Sequence, residues 1–465
     1  RTRSNQEVKY YIGAYFRFKK ARDFSHYDTA ILIRVFNQNH INVSLFELMM
    51  LIAFFVLGIF RENAFFQVPS SVSIVLLFTI ATMLFSALFS WIKGWTITFI
   101  LGIFILLNFL TLHFDFFNYK NYAYGLDYNT EKADYTRNHL EFIAKDTLTA
   151  QQDLKKHENR LDLWRYNMVG VTGKPKLVIV NTSGGGLRSS MWTFEMFQYL
   201  DSLSGNQFSQ HVQLISGASG GMVGASYYRE LLLNYNLNKI SLRDLHSENY
   251  LRKISMDLLN HVSITIATND IFNRYQTVRD GKKKYTKDRG YAFEWQLMQN
   301  TDSVFDKRLI DYKSPVENGY IPPMIFSPTI INDGRRLLIS SQDIAFMTSP
   351  ISKDQYLNDK SIENVEFRRL FKEQDGDSLW FTSAIRLSAT FPYILPMVSL
   401  PAYPDMEIMD AGIRDNYGVK VSMLYLYKLQ KWINENTSGV IVVNIRDTKK
   451  DYSITPTDRY SLFDR

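Results

Sequence analysis

The first quarter of the chain contains three long apolar blocks. Residues 72–92 include no charged side chain, and residues 95–112 are interrupted by polar groups only at threonines and one asparagine. A helix rises about 1.5 Å per residue, so both blocks are long enough to cross roughly 30 Å of hydrocarbon. The first block, residues 48–60, is shorter and follows Glu47, which leaves a re-entrant or interfacial segment open. The pattern predicts about three transmembrane helices within residues 43–113.

The segments on either side of these blocks are polar. Residues 1–42 contain eight lysines and arginines among aromatic side chains, which is typical either of an interfacial helix beside a bilayer or of a solvated helix. We interpret them as a basic juxtamembrane segment. After the blocks, residues 114–172 become charged and helix-prone, with a helical pattern over residues 141–168. We interpret this stretch as a helical connector.

From residue 173 onward the pattern alternates between strands and helices. Residues 176–181 and 212–215 are short apolar runs, each followed by a glycine-rich turn and a helical pattern, and residues 439–444 form another apolar run. Continuous apolar strands of this kind are buried on both faces. The sequence therefore predicts an α/β domain over residues 173–446, with a mostly parallel sheet flanked by helices and a tail at 447–465.

The amino-acid composition limits the kinds of catalytic site and partner that the chain can have. The chain contains no cysteine, which excludes thiol nucleophiles, disulfides and cysteine-based metal sites. Its net charge of +7 is compatible with an anionic partner, although a mildly basic protein without such a partner remains equally open. A membrane surface fits this charge better than nucleic acid, because the basic residues do not form stripes with base-stacking aromatics.

The sequence from Gly217 to Gly221 reads Gly-x-Ser-x-Gly and lies between a predicted strand and a predicted helix. At such a strand-to-helix elbow the serine adopts a strained backbone conformation, and the flanking glycines avoid clashes that a Cβ would cause. The hydroxyl then lies at the positive end of a helix, where a developing anion is favoured. A plain turn of small residues is the alternative, but the strand and helix context favours Ser219 as a nucleophile.

A second glycine-rich turn, Gly184 to Gly186 followed by Arg188, also lies where a strand meets a helix. Consecutive glycines let backbone N–H groups converge on a small anion, as in an oxyanion hole or a phosphate nest. A dinucleotide-binding turn is disfavoured because Ser189 occupies the third glycine position of that pattern. A P-loop is excluded because no Gly-Lys-Ser/Thr follows either turn.

A serine nucleophile needs a base, and the histidines are badly placed to provide one. Only His246 and His261 follow Ser219, too soon for the order serine, acid, histidine of an α/β-hydrolase triad. The base is then a carboxylate or a lysine. Asp410 follows an apolar approach and precedes Gly412 by two residues, so its carboxylate can lie on a turn and accept a proton. On its own this pattern is weak evidence, because Asp-x-Gly turns are common and an ordinary turn is the default interpretation.

Three ordered motifs together resemble the patatin-like phospholipase family. They are Ser183-Gly-Gly-Gly-Leu-Arg188, Gly217-Ala-Ser-Gly-Gly221 and Asp410-Ala-Gly412, and the resemblance extends to the segments 383–396 and 327–336. It covers roughly residues 175–446. The family usually has aspartate at the position of Ser183, often glycine at Ser189, and glycine at Ala411, and none of these departures removes a catalytic group.

The resemblance implies a three-layer α/β/α domain and an acyl-transfer mechanism that uses a Ser-Asp dyad. It implies a carboxylic ester hydrolase, namely a serine lipid acyl hydrolase of the phospholipase A or lysophospholipase type, which needs no metal or other cofactor. The implied residues are Ser219 as nucleophile, Asp410 as base, Gly184, Gly185, Gly186 and Gly220 as the oxyanion hole, and Arg188 as loop support or a phosphate contact. A catalytically silent scaffold in a membrane assembly with protein partners, or a lipid acyltransferase, would carry the same motifs.

The apolar blocks and the resemblance together predict a multi-pass protein of a bacterial inner membrane that acts on membrane lipid. The basic residues of 1–42 suggest that the N-terminal end is cytoplasmic. Three spans would place the catalytic domain on the opposite, non-cytoplasmic face, whereas two spans would return it to the cytoplasm. We favour three spans.

Overall fold

The computed structural model describes residues 9–21, 23, 26–63, 69–114, 120–168, 173–270, 274, 276–349 and 362–448. The chain divides into two compact units. One comprises Arg1–Leu57 and Val75–His113, and the other comprises Gly58–Ile74 and Phe114–Arg465. The predicted tail, residues 447–465, lies outside the described residues except for Asp447 and Thr448.

The described part of the first unit starts with an antiparallel pair of short strands, β1 (Tyr10–Ile12) and β2 (Phe18–Lys20). Within the described part of the basic segment, an α-helix is present from Thr29 onward. Three long helices follow: α1 (Thr29–Ile59), α2 (Ser70–Ile92) and α3 (Thr96–His113). All three are long and apolar enough to cross a membrane. The short apolar block at 48–60 is thus the second half of a helix of 31 residues, so its length does not limit it to a re-entrant segment.

The second unit consists of shorter helices and strands. Before the glycine-rich turns the elements are β3 (Ala133–Asp134), α4 (Arg137–Lys145), α5 (Thr147–Asn167) and β4 (Lys176–Thr182). Around and after those turns they are α6 (Gly186–Leu203), α7 (Phe208–His211), β5 (Val212–Gly217), α8 (Ser219–Asn236), α9 (Leu242–Leu245), α10 (Glu248–Ser255) and α11 (Asn260–Thr265).

The remaining elements bring the chain back to the sheet. They are β6 (Thr277–Asp280), β7 (Lys283–Thr286), α12 (Arg289–Asn300), α13 (Lys313–Glu317), β8 (Met324–Phe326), β9 (Thr329–Ile330), β10 (Arg336–Leu338), β11 (Asn364–Glu366), α14 (Phe367–Leu370) and α15 (Phe381–Ser388). The last are β12 (Val398–Leu400), β13 (Ala402–Tyr403), β14 (Met406–Met409), α16 (Gly412–Asp415), α17 (Val419–Lys428), α18 (Gln430–Asn436) and β15 (Gly439–Ile445).

A parallel sheet with the strand order β15-β4-β5-β8 lies at the centre of this unit. Successive side chains of β4 alternate between two core clusters. Val178 and Val180 belong to the cluster that contains Phe194 of α6, whereas Leu177 and Ile179 belong to the cluster that contains Tyr425 of α17. Helices therefore cover both faces, which confirms the predicted α/β/α domain and explains why these strands are continuously apolar.

A second sheet, with the order β11-β10-β9-β14-β12, was not predicted from the sequence. Its strands contain only two to four residues each, too few to show a hydrophobic period. The chain passes from the first sheet into the second between Phe326 and Thr329. Strand β14 ends at Met409, so this sheet positions Asp410.

The predicted connector, residues 114–172, contributes to the core of the same unit. Leu161 of α5 is fully buried, and β3 pairs with β13. The helical pattern of this stretch is divided at Asp146, which ends α4 and whose carboxylate accepts the Thr149 N–H at 3.1 Å to begin α5.

Candidate active site

The turn between β5 and α8 is a strand-to-helix elbow with Ser219 at its apex. Strand β5 ends at Gly217, and α8 begins at Ser219. The φ angle of Ser219 is 50°, in the left-handed region that residues with a Cβ rarely occupy. The Ala218 N–H donates to the carbonyl of Thr182 at 3.1 Å, which ties this turn to the end of β4. The strained conformation expected from the sequence is therefore present.

The glycines of this elbow allow it to pack against the neighbouring turn, backbone to backbone. A Cβ on Gly220 would lie 1.9 Å from the carbonyl oxygen of Gly186, and one on Gly221 would lie 2.4 Å from that of Ser183. A Cβ on Gly217 would lie 2.4 Å from the carbonyl oxygen of Thr182. These distances are far below van der Waals contact, so the two turns approach closely only because these positions are glycine.

The turn after β4 supplies backbone N–H groups near Ser219. The Gly184 N–H donates to the carbonyl of Asn416 at 3.0 Å and so is already engaged. The N–H groups of Gly185, Gly186 and Gly220 make no backbone hydrogen bond within the described ranges, as is usual at the N-termini of helices such as α6 and α8. These three are the available donors to an oxyanion.

Asp410 lies buried beside the elbow. Its Oδ1 atom accepts the Gly412 N–H at 2.7 Å, while Oδ2 is buried without a hydrogen bond of standard geometry from any described protein atom. Burial raises the pKa of Asp410 to about 6, and hydrogen bonding to the Gly412 N–H and to the Ser219 hydroxyl opposes this rise. The structure thus brings the predicted nucleophile and the predicted base together, although they lie far apart in sequence and on elements of different sheets.

Arg188 contacts the protein itself. Its Nε and Nη2 atoms donate to the carboxylate of Asp447 at 3.1 and 2.9 Å. The Ser183 hydroxyl donates to the same carboxylate at 3.5 Å, and the Ser189 hydroxyl donates to the Ser183 carbonyl at 2.5 Å. The two serines at which the chain departs from the family pattern therefore help to hold the glycine turn. Ala411, the third departure, has φ −60° and ψ −30°, which any residue adopts.

Both turns and Asp410 line one cavity of about 760 Å³. Most of its wall is apolar, which suits an acyl chain. Its lining comprises Gly184, Gly185, Gly186, Leu187, Ser190, Ser219, Gly220, Val223, Asp257, Leu258, Leu259, Phe293, Ala389, Phe391, Ile394, Leu395, Asp410, Gly412, Ile413 and Asn416.

The described histidines lie outside this site. Among the described residues, no histidine lines the cavity. His246 lies within 2.7 Å of the Asn206 amide oxygen, and His261 stacks on Trp295. In the same part of the chain no group of three or more histidine, aspartate or glutamate side chains is arranged to hold a metal ion.

Sequence reasoning missed two residues that shape the site, Asn416 and Asp447. Asn416 lines the cavity, and its side-chain oxygen lies 2.4 Å from where a Cβ on Gly184 would be. Asp447 follows β15, whose carboxyl end meets those of β4 and β5 because the strands are parallel. Polar residues at this edge of a parallel sheet are frequent in functional sites, and that rule would have found Asp447. Asn416 had no comparable signal.

Comparison with known proteins agrees with this geometry. A search among curated proteins finds no match to the chain. Residues 182–423, more than half of the chain, match the family model of patatin-like phospholipases. This range contains both glycine-rich turns, the elbow serine and the Asp410 turn. The chain therefore belongs to the patatin-like phospholipase family, and this membership supports lipid acyl hydrolase activity in general.

Proposed function

We propose that the protein is a serine lipid acyl hydrolase that uses Ser219 and Asp410 as a catalytic dyad. The observation that carries this proposal is the position of Ser219, on a strained elbow beside a buried carboxylate at the wall of an apolar cavity. Strain of this kind persists at functional sites because the surrounding packing maintains it. A turn without a catalytic role would be more stable if its backbone were unstrained.

In the proposed reaction Asp410 accepts the proton of the Ser219 hydroxyl while the oxygen attacks an ester carbonyl. Burial raises the pKa of Asp410 to about 6, which makes its carboxylate a stronger base than an exposed one and leaves it mostly ionised at neutral pH. Asp410 then returns the proton to the leaving alcohol, and the acyl group remains on Ser219. Water, deprotonated by the same carboxylate, releases the fatty acid.

The negative charge on the tetrahedral intermediate needs preorganised donors. The N–H groups of Gly185, Gly186 and Gly220 supply them in this proposal, and the Gly184 N–H does not, because it is bound to Asn416. Removing one such donor typically costs about 3 kcal/mol of transition-state stabilisation. Gly184 acts instead by its lack of a side chain, which lets Asn416 approach the turn.

The size and apolar lining of the cavity favour long-chain esters, and we assign the activity to the phospholipase A or lysophospholipase type. We further propose that α1, α2 and α3 cross a bacterial inner membrane, since each is long and apolar enough to do so. An odd number of crossings places the catalytic unit on the face opposite the basic N-terminal segment, which the positive-inside rule assigns to the cytoplasm.

The test is hydrolysis of a panel of phospholipids, lysophospholipids and p-nitrophenyl butyrate by the full chain in detergent micelles. We expect Ser219→Ala and Asp410→Asn to abolish release of fatty acid and labelling by a fluorophosphonate probe. Ser226→Ala is the matched control, because Ser226 lies two turns further along α8 and outside the cavity. Equal turnover by Ser219→Ala and the wild type would refute the dyad.

The same panel separates the two alternatives. A silent scaffold would neither react with the probe nor turn over any ester. A lipid acyltransferase would react with the probe but would release little free fatty acid until an acceptor lipid or alcohol was added.

A further inference from the structure

The described residues of the connection between α1 and α2, namely 60–63 and 69, belong to the catalytic unit, as do the adjoining ends of both helices. A Cβ on Gly58 would lie 2.4 Å from the side chain of Thr268, so the chain approaches this residue as closely as a glycine permits. Arg61 is 1% exposed and donates to the carbonyl of Lys287 at 3.5 Å. The ammonium group of Lys287 in turn lies 2.6 Å from the carboxylate of Glu62. These contacts attach the connection to Thr268, which precedes β6, and to Lys287, which follows β7.

The same connection reaches the wall of the active-site cavity. The backbone N–H of Ser70, the first residue of α2, donates to the side-chain oxygen of Asn260 at 2.6 Å. Asn260 begins α11 and directly follows Leu259, which lines the cavity. If α2 crosses the bilayer, its first residue lies at a membrane surface, because the apolar stretch that follows fills the hydrocarbon. In that case Asn260, and with it the adjoining Leu259 of the cavity wall, would lie close to that surface.

The side of the cavity next to Asn260 presents apolar groups to the outside. The exposed side chains are Met256, Leu259, Phe391, Tyr393, Ile394 and Ile413, and Tyr393 is 94% exposed. The carbonyl of Tyr393 accepts a hydrogen bond from Arg289 at 3.1 Å, so this loop is anchored and not loose. Leu259, Phe391, Ile394 and Ile413 also line the cavity, and Met256 and Tyr393 lie within three residues of them in sequence. Exposed apolar side chains grouped in this way are unfavourable in water and are typical of a surface that binds a partner or a membrane.

We propose that this rim rests on the bilayer leaflet at which α2 begins, so that a lipid passes from the leaflet to Ser219 without crossing water. This inference rests on the proposed function and adds the route of the substrate. In this proposal the transmembrane helices also orient the enzyme, because the hydrogen bond between Ser70 and Asn260 determines where the cavity opens at the membrane. A bilayer fits better than another protein, since Ser70, which is bonded to Asn260 beside Leu259, is the first residue of an apolar candidate span.

A direct test measures contact with lipid, independently of activity. The chain has no cysteine, so Tyr393→Cys and Tyr166→Cys each introduce one labelling site. Tyr166 is a matched control, because it is 83% exposed but lies on α5. The indole of Trp164, on the same helix, donates to the carbonyl of Gln210 just before β5. Tyr166 is therefore near the end of the sheet opposite to Ser219. In proteoliposomes with spin-labelled lipids we expect a fluorophore at position 393 to be quenched several-fold more than one at 166. Equal quenching, or cross-linking of two copies through position 393 without quenching, would overturn the inference.

A kinetic test uses charge at the same two sites. Tyr393 has a φ of 67°, which aspartate tolerates better than tyrosine, so Tyr393→Asp should fold. We expect it to lower hydrolysis of vesicle phospholipid at least fivefold and to leave hydrolysis of p-nitrophenyl butyrate unchanged, whereas Tyr166→Asp changes neither. Unaltered vesicle activity in Tyr393→Asp would refute the route while the dyad stands. A failure of the dyad itself would show in Ser219→Ala and Asp410→Asn, and not in the variants at position 393.

Discussion

The turns that follow β4 and β5 are both rich in glycine and lie side by side, yet they need glycine for different reasons. In the turn after β5, an added Cβ at Gly220 would collide with backbone of the other turn at 1.9 Å. In the turn after β4, Gly186 has open space around a Cβ position, but its φ is 62°. Gly220 therefore allows a close approach of two backbones, whereas Gly186 allows a left-handed backbone. Gly184, in the same turn as Gly186, again allows a close approach, in this case of the Asn416 side chain.

This difference predicts how each turn fails. A clash between two backbones cannot be relieved by a side-chain movement, so the turns must separate and the donors to the oxyanion move with them. A torsional strain costs only about 1–2 kcal/mol and leaves the contacts in place. Substitutions in the two turns should therefore differ strongly in their effect on catalysis.

The largest effect is expected for Gly220→Ala. Its Cβ would push the elbow away from Gly186 and displace N–H donors, so we expect kcat/KM for p-nitrophenyl butyrate to fall at least 100-fold, the order found when one oxyanion donor is lost. Gly102→Ala in α3 is the control, because a Cβ there has no neighbour within 4 Å and should change nothing. Activity within threefold of the wild type in Gly220→Ala would contradict the steric explanation.

The second effect is a pH dependence of kcat/KM that Asp410, beside the elbow, should determine and that substitutions in the β4 turn should not shift. Because burial raises the pKa of Asp410 to about 6, the carboxylate is protonated and inactive below that pH. We expect kcat/KM to fall about tenfold between pH 7 and pH 5, following a single ionisation near 6. Gly186→Ala should lower the profile without shifting its midpoint; a profile flat from pH 8 to pH 4.5 would exclude Asp410 as the base.

The raised pKa also has a stability consequence of defined sign. The folded chain binds the Asp410 proton more tightly than the unfolded chain, so this group destabilises the fold increasingly as pH rises from about 4 to about 6. Asp410→Asn removes the buried charge and keeps an acceptor for the Gly412 N–H. We expect the inactive variant to be at least as stable as the wild type at pH 7, by at most about 3 kcal/mol, and the gain to vanish near pH 4. Chemical denaturation of the detergent-solubilised protein at both pH values measures this.

A smaller effect is expected for Gly186→Ala in the other turn. Alanine at φ 62° costs about 1 kcal/mol but meets no neighbour, so kcat should fall only several-fold. Gly319→Ala provides the comparison, because Gly319 has a φ of 74°, equally open surroundings and no place in the cavity. It should lose similar stability and keep full activity. A 100-fold loss in Gly186→Ala would mean that both turns depend on close approach.

The smallest effect is expected for Arg188→Met, which breaks the link to Asp447. Arg188 is 65% exposed, so the ion pair stabilises the fold by less than about 1 kcal/mol. If Arg188 supports the loop, kcat falls a few-fold for phospholipid and p-nitrophenyl butyrate alike, and Asp447→Asn has the same effect. If Arg188 instead contacts a lipid phosphate, KM rises for phospholipid alone.

The sequence predicted the parallel sheet well and the second sheet not at all. Strands β4, β5 and β15 agree with the predicted runs to within two residues, because strands buried on both faces are continuously apolar. Strand β9 has two residues and is held by pairing with distant segments, so it has no local signal. The start of α1 was not predicted either, because residues 1–42 were assigned to a separate basic juxtamembrane segment. The helix instead begins at Thr29, after Asp28, whose carboxylate accepts the Ala30 N–H at 3.0 Å.

The site shows the same contrast between features with a local sequence signal and features that depend on tertiary packing. Ser219 and Asp410 lie where their motifs indicated, because an elbow and a turn are local structures. The engagement of the Gly184 N–H by Asn416 could not be predicted, since it depends on how α16 packs against the β4 turn. Which glycine donates to an oxyanion is therefore a tertiary property, while the presence of a glycine loop is a sequence property.

The packing of Gly58, Arg61, Glu62 and Ser70 within the catalytic unit has a consequence for how the enzyme is made. A fragment cut at residue 114 would carry every catalytic motif but would lack a piece of its own interior, leaving Thr268 uncovered and Lys287 without Glu62. That piece is synthesised first and, if α1 and α2 cross the bilayer as proposed, their insertion delivers it across the bilayer. The hydrolase would then complete its fold only after translocation, so a lipid-degrading activity would not arise on nascent chains that fail to reach the membrane.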